Sequence, residues 1–131
     1  MSQENVEIVR SLYEMWNRSG GAVLMERIDP GIEVEMVGGM LNGSYRGHAG
    51  LSEALDSFWD YFDESRIDIE DCLEADDGVV VAVRYIARGK TSGVEVDARG
   101  GHVWTLRAGR VVRWQVFGTK AEALEAAGLR E

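Results

Sequence analysis

An acid and an arginine two residues apart on a strand can hold a water molecule or accept a proton. Asp97 and Arg99 have that spacing, and with Gly101 they share one face of any regular strand. Turned inward, they would form a buried acid oriented by a guanidinium, a base or a water-holder. Turned outward, they are an ion pair of little energetic weight. His48, in Gly47-His48-Ala49-Gly50, opens a helix and is either a base at a pocket mouth or a solvated turn residue. His102 follows Gly101 and points the opposite way. We place it on the outer face of the sheet, in contact with a second copy rather than in catalysis. With two histidines well apart and a single cysteine, Cys72, no metal site, internal disulfide or cofactor is expected. Nothing beside Cys72 lowers its pKa visibly, so it reads as a quiet thiol.

A second group of residues suits binding rather than catalysis. Alternation puts Val81, Val83 and Tyr85 on one face of a strand, and Val112, Trp114 and Val116 on one face of another. Tyr85 and Trp114 would bring a hydroxyl and an indole N–H into an apolar cavity and orient a small ligand there. They serve equally well as core aromatics bonded to a backbone carbonyl. Met36 ends an alternating segment, and Tyr45, Phe58, Trp59 and Phe62 form an aromatic band in which Trp59 lines the cavity or its rim. The candidate ligand contacts are therefore Tyr85, Trp114, Trp59, Met36, Val83 and Val116. The weaker catalytic candidates are Asp97, Arg99 and His48.

These side chains need elements to position them. Val6, Val9, Leu12, Tyr13 and Trp16 give residues 3–18 the apolar stripe of a helix, with Ser2 as its cap and Gly20-Gly21 as its stop. A short second helix fits 22–28 and ends in the turn Asp29-Pro30-Gly31. Ile32, Val34 and Met36 alternate with Glu33 and Glu35 as a half-buried strand, and the glycine-rich stretch 38–43 reads as a loop. A third helix covers 49–62. The period then becomes two, predicting strands at 66–75, 78–88, 94–107 and 110–118 joined by short turns as an antiparallel meander. Thr119 and Glu122 form a capping box for a short last helix, with Gly128 at its C′ position. Helices first and a long antiparallel sheet second make an α+β domain, one over 1–131.

The chain has 131 residues and a formal charge of −9 with a pI of about 4.7. That balance excludes nucleic acid and anionic membranes as natural partners, because phosphate needs a positive face. No apolar run approaches the roughly 20 residues that span a bilayer, and the first residues lack a signal peptide's pattern. A cytoplasmic location is the expectation. The acidic runs Asp56, Asp60, Asp63, Glu64 and Asp68, Glu70, Asp71 read as solvated faces.

Four stretches in order, ENVEIVRSLYEMWNRSG, YRGHAGLSEAL, HVWTLRAGRVVRW and AEALEAAGL, give the chain a resemblance to the SnoaL-like branch of the nuclear transport factor 2-like superfamily. The resemblance implies a cone-shaped α+β fold with a curved antiparallel sheet around the N-terminal helices and an internal pocket. It also implies a homodimer through the convex sheet face, including His102, Arg113 and Phe117. It does not fix a chemistry, because many activities share such a cup. The isomerase pattern of the superfamily puts its tyrosine on Leu12, its base on Met36 and its oxyanion-hole acid on Gly101, so those three roles are empty. The epoxide hydrolase tryptophan matches Trp114, but the acid expected two residues later is Val116, which also removes the polyketide cyclase acid. The chain therefore reads as a small-molecule-binding domain with an apolar pocket. The alternative is a cofactor-independent isomerase, dehydratase, cyclase or hydrolase acting on a small apolar substrate.

Overall fold

A computed structural model describes residues 2–19, 23, 25–38 and 42–129. Helix α1 (Ser2–Ser19) buries Ile8, Val9, Leu12, Tyr13 and Trp16 along one side and carries Glu4 in its first turn and Arg18 in its last. Those charges oppose the helix dipole at each end. The expected cap and stop, the Ser2 side chain and Gly20-Gly21, lie outside the described residues. Of the expected second helix, Met25–Arg27 forms one 3-10 turn, while Ala22 and Leu24 lie outside the described residues.

The remaining elements are β1 (Ile28–Val37), β2 (Gly43–Arg46), α2 (Gly47–Tyr61), β3 (Phe62–Glu74), β4 (Gly78–Gly89), β5 (Glu95–Arg107), β6 (Arg110–Phe117) and α3 (Lys120–Ala126). The strands form one six-stranded sheet in the order β2-β1-β6-β5-β4-β3. β3 to β6 are the expected antiparallel meander, and β1 joins it parallel to β6. β3 starts at Phe62, where the sequence reading has the end of a helix and a strand only from 66, and three further details depart from that reading. Asp29-Pro30-Gly31 is a bulge inside β1 rather than a chain reversal. The Asp29 carboxylate accepts the Gly31 N–H at 2.8 Å, and the register with β6 shifts between Ile28 and Glu33. Residues 43–46, expected as the end of a loop and the lead-in to a helix, form β2 and set Tyr45 opposite Val34. On β6 the register also shifts, so that Leu106 pairs with Val111 and Thr105 with Arg113. Val112 therefore drops out of the alternation, and Val111 takes the buried position expected for it.

Helices α1 and α2 cover one face of the sheet, where Val9, Ile32, Val34, Leu51, Ala54, Val79, Val81 and Val83 make the main core. Helix α3 covers part of the other face and closes a smaller cluster of Val80, Val103, Ala123 and Leu124. Its start is capped by Thr119, whose Oγ1 accepts the Glu122 N–H at 3.1 Å. Its end is a Schellman turn, with Gly128 at φ +75°, Gly128 N–H bonded to Glu125 O and Leu129 N–H to Leu124 O.

Helix α3 comes this close because β5 has no side chain at Gly101. A Cβ there would stand 2.6 Å from Thr119 O and 2.7 Å from the Ala123 Cβ. Gly101→Ala should therefore push α3 off the sheet and destabilise the fold by about 2–3 kcal/mol, as overpacking does. Urea unfolding reads this directly, and a change under about 0.5 kcal/mol, the size of an ordinary surface substitution, would contradict the packing.

Candidate functional site

Between α1, α2 and the inner face of the sheet lies a partly enclosed cavity of about 100 Å³. Most of its wall is aliphatic or aromatic, with Leu12, Met36, Leu51, Phe58, Ile67 and Val116 among the contributors. Among the described residues no Asp, Glu, Lys or Arg lines it. The polar atoms on the wall belong to Tyr13, Tyr85, His102 and the indoles of Trp16, Trp104 and Trp114.

Four of these groups form one hydrogen-bonded chain. Trp104 on β5 donates its indole N–H to the Tyr13 hydroxyl on α1 at 2.8 Å. The same hydroxyl lies 2.5 Å from His102 Nδ1. His102 Nε2, on the other side of the ring, is hydrogen-bonded to the Tyr85 hydroxyl on β4. The imidazole is thus held through both nitrogens by tyrosines from two different elements. It is 1% exposed, and burial pushes its pKa down from 6.5 to about 3, so it is neutral. Burial likewise raises the pKa of Tyr13 well above the ordinary value and raises that of Tyr85. A neutral, fully bonded chain is the form in which such groups tolerate an apolar site.

Aromatic packing fixes the chain. Trp104 and Trp114 stack at 5.0 Å between ring centres, and His102 meets Trp114 edge-on at 5.6 Å. Trp114 Nε1 is buried and has no acceptor among the described residues. Gly100 gives Tyr85 its position, since a Cβ there would stand 3.0 Å from the tyrosine ring.

Of the sequence candidates, Tyr85, Trp114, Met36 and Val116 line the cavity. Val83 does not; it packs in the core beneath the wall. Trp59 also stays off the wall, because Trp16 takes that place and Trp59 stacks on Trp16 at 5.5 Å. Asp97 and Arg99 face away from the cavity. Asp97 pairs with Arg84 on β4 at 2.6 Å and Arg99 with Glu70 on β3 at 2.9 Å, all exposed. Of the two readings of the pair, the structure shows the outward one. The Arg84 hydrogen bond holds the Asp97 carboxyl below its usual range, as a surface pair does. His48 donates Nε2–H to Ile28 O at 2.8 Å, tying α2 to β1 rather than facing the cavity. Cys72 is half-buried, and burial raises its thiol pKa.

The largest correction concerns β5. The alternation was right and its faces were reversed: Gly101 meets α3, and His102 turns into the cavity. His102 therefore belongs to no outer-face contact, and Phe117 packs beside the α3 cluster. Arg113 stays exposed and pairs with Glu35. Leu12 and Met36 do line the cavity and leave two isomerase roles empty. Gly101 faces α3 rather than the cavity, and its inward neighbour on β5 is the His102 imidazole. Tyr13, one residue of the apolar stripe of α1, sits at the centre of the chain. Trp104 was not singled out. Its signal was present, since Trp104 and Leu106 share the parity of His102. Among the described residues no group of three or more His, Cys, Asp or Glu side chains converges as a metal site. Among the described residues no helix is long and apolar enough to cross a membrane.

The curved sheet wrapped on one side by two helices, with a cavity between them, defines the nuclear transport factor 2-like class of α+β cups. A nuclear transport factor 2-like protein of unknown function from Burkholderia pseudomallei superposes with a TM-score of 0.79 at 21% identity, covering 95% of this chain and 97% of that one. TerC co-crystallised with polyporic acid gives 0.76 at 23% identity over 95% and 97% of the two chains. A candidate SnoaL-like polyketide cyclase from Jannaschia gives 0.74 at 21% identity over 96% and 92%. At these identities the likeness is one of fold. The sequence model of the SnoaL-like domain matches residues 9–114, and the chain belongs to that family. No curated protein sequence matches it.

Proposed function

We propose that the cup binds a small, neutral, largely apolar molecule, and that Tyr85 orients its polar substituent. The observation that carries this reading is the cavity wall itself, apolar except for a neutral hydrogen-bonded chain and without a charged side chain among the described residues. A charged ligand would be desolvated there with no counter-charge. The volume of about 100 Å³ approaches the ~150 Å³ of a dry cavity that admits benzene, which sets the scale of the buried part of the ligand.

Titration with toluene should give a saturable change in tryptophan emission, because Trp104 and Trp114 lie on the wall. Benzoate should give none at the same concentrations. Ala54 is buried on the wall, so Ala54→Phe fills the cavity and should abolish the toluene response. Equal binding of benzoate, or a toluene response that survives Ala54→Phe, would overturn the reading.

A cofactor-independent enzyme is the second reading, and one observation favours it: the Tyr85 hydroxyl, backed by His102, stands on the wall where a substrate oxygen would lie. The group at the substrate would then be Tyr85 rather than Asp97 or His48. Against it stands the basicity of His102. An imidazole with a pKa of about 3 and both nitrogens bonded holds no extra proton at neutral pH and makes a weak general base. Binding is the better-supported function.

A further inference from the structure

We propose that Trp104 sets the polarity of the whole hydrogen-bonded chain and makes the pocket select molecules that offer a hydrogen-bond acceptor, such as a neutral carbonyl oxygen. This deepens the proposed binding function and rests on it.

The argument is one of donors and acceptors. An indole N–H can only donate, so Tyr13 Oη must accept from Trp104 at 2.8 Å. The Tyr13 proton then needs an acceptor, and the other polar atom in reach is His102 Nδ1 at 2.5 Å. If Nδ1 carried the ring proton instead, two donors would face one oxygen and the Tyr13 O–H would be buried without a partner. Leaving a buried donor unmade is the costly alternative. Nδ1 therefore accepts, and the single proton of the neutral ring sits on Nε2. Nε2–H donates to the Tyr85 oxygen.

The chain thus runs in one direction, from Trp104 through Tyr13 and His102 to Tyr85, and it ends on the Tyr85 O–H. That hydroxyl lines the cavity and has no other partner among the described residues. The Trp114 Nε1–H is unpaired as well, but it is enclosed behind the wall rather than open to the cavity. The proton that the chain leaves for a ligand is the Tyr85 O–H, beside one remaining lone pair on the same oxygen. A chain running the other way would end on an acceptor at Tyr85, and Trp104 is what forbids it. The titratable groups that face His102 are Tyr13 from α1 and Tyr85 from β4. None of the cavity residues of α2, β1 or β6 is ionisable among the described residues, so nothing else biases the ring. Trp104 is a positioning residue here, since it acts through two bonds.

The test uses the intact chain at neutral pH. Nitrogen-15 labelling of the histidines reports the tautomer through two-bond couplings to the ring carbons' protons. His102 is expected with Nε2 protonated and Nδ1 bare, and an Nδ1–H ring would overturn the proposal without any ligand being involved. In Trp104→Phe the constraint is gone, and a mixture of both tautomers is expected. An unchanged ring would show that Trp104 does not set the direction. Binding is then compared for cyclohexanone and methylenecyclohexane, which match in shape and differ in the acceptor. The ketone should bind about tenfold tighter, and Tyr85→Phe should shrink that ratio. Equal affinities in the wild type overturn the acceptor preference while leaving a ligand pocket in place. If neither compound binds, the pocket reading fails and the selectivity fails with it, whatever the tautomer.

Discussion

Between pH 6.5 and 4.5 the protein is expected to lose about 2–3 kcal/mol of stability, and His102→Gln is expected to abolish most of that loss. The folded imidazole, with a pKa of about 3 against an ordinary 6.5, refuses a proton that the unfolded chain accepts. The unfolded state therefore binds more protons throughout that window, and stability falls as the pH falls, by about 1.4 kcal/mol per unit. Above pH 6.5 both states are neutral and the full stability is present. By pH 3 the loss would approach about 5 kcal/mol. Asp71 and Asp97, held below the usual carboxylate range by hydrogen bonds from Lys120 and Arg84, push in the same direction. Their effect begins as the unfolded carboxylates take up protons, from about pH 5, and is small until below about pH 4. The upper window thus isolates the histidine. Glutamine keeps a carbonyl to accept from Tyr13 and an amide to donate to Tyr85, so the chain can re-form without a titrating group. Urea unfolding at half-unit pH steps on both proteins decides it, and equal slopes would sink the assignment.

What was legible in the sequence and what was not follows from what each residue type can signal. The class and the meander were readable because β4 to β6 are long runs of strand-forming residues separated by glycine turns. The faces of β5 were harder. Gly100 and Gly101 have no side chains and carry no hydropathy, and histidine suits either side of a sheet. Yet the charges of Asp97 and Arg99 mark one parity as outward, and Trp104 with Leu106 marks the other as inward.

The role of Tyr13 has no signal of its own in the apolar stripe of α1. Tyr13 sits about 100° around the helix from Leu12, and the buried arc of α1 is wide enough to include both. The bulges at Pro30 and Val112 and the edge strand β2 leave no period to detect, since strand pairing alone creates them. Periodicity also gives a face and not a depth. Val83 and Tyr85 share a face, and one lies under the wall while the other forms it.

The two tyrosines offer the sharpest energetic test of the chain, because the same deletion at its two ends should have unequal effects. Phenylalanine fills the space of tyrosine, so neither change opens a cavity and the difference is one of hydrogen bonds. Tyr13→Phe leaves two buried groups without partners, the Trp104 N–H and His102 Nδ1. At about 1–3 kcal/mol for each unmade group, a loss of about 2–6 kcal/mol is expected at pH 7. Tyr85→Phe leaves only His102 Nε2–H unpaired, at the end where the cavity can supply a substitute, and about 1–2 kcal/mol is expected. The double variant Tyr13→Phe/Trp104→Phe separates a true chain from two unrelated contacts. Once the indole N–H is gone, part of what the tyrosine deletion left exposed no longer exists. The pair should then cost less than the sum of the single changes by about 1 kcal/mol or more. Strict additivity at a contact of 2.8 Å would mean that Trp104 and Tyr13 are not energetically linked, and the directed chain would have no first member.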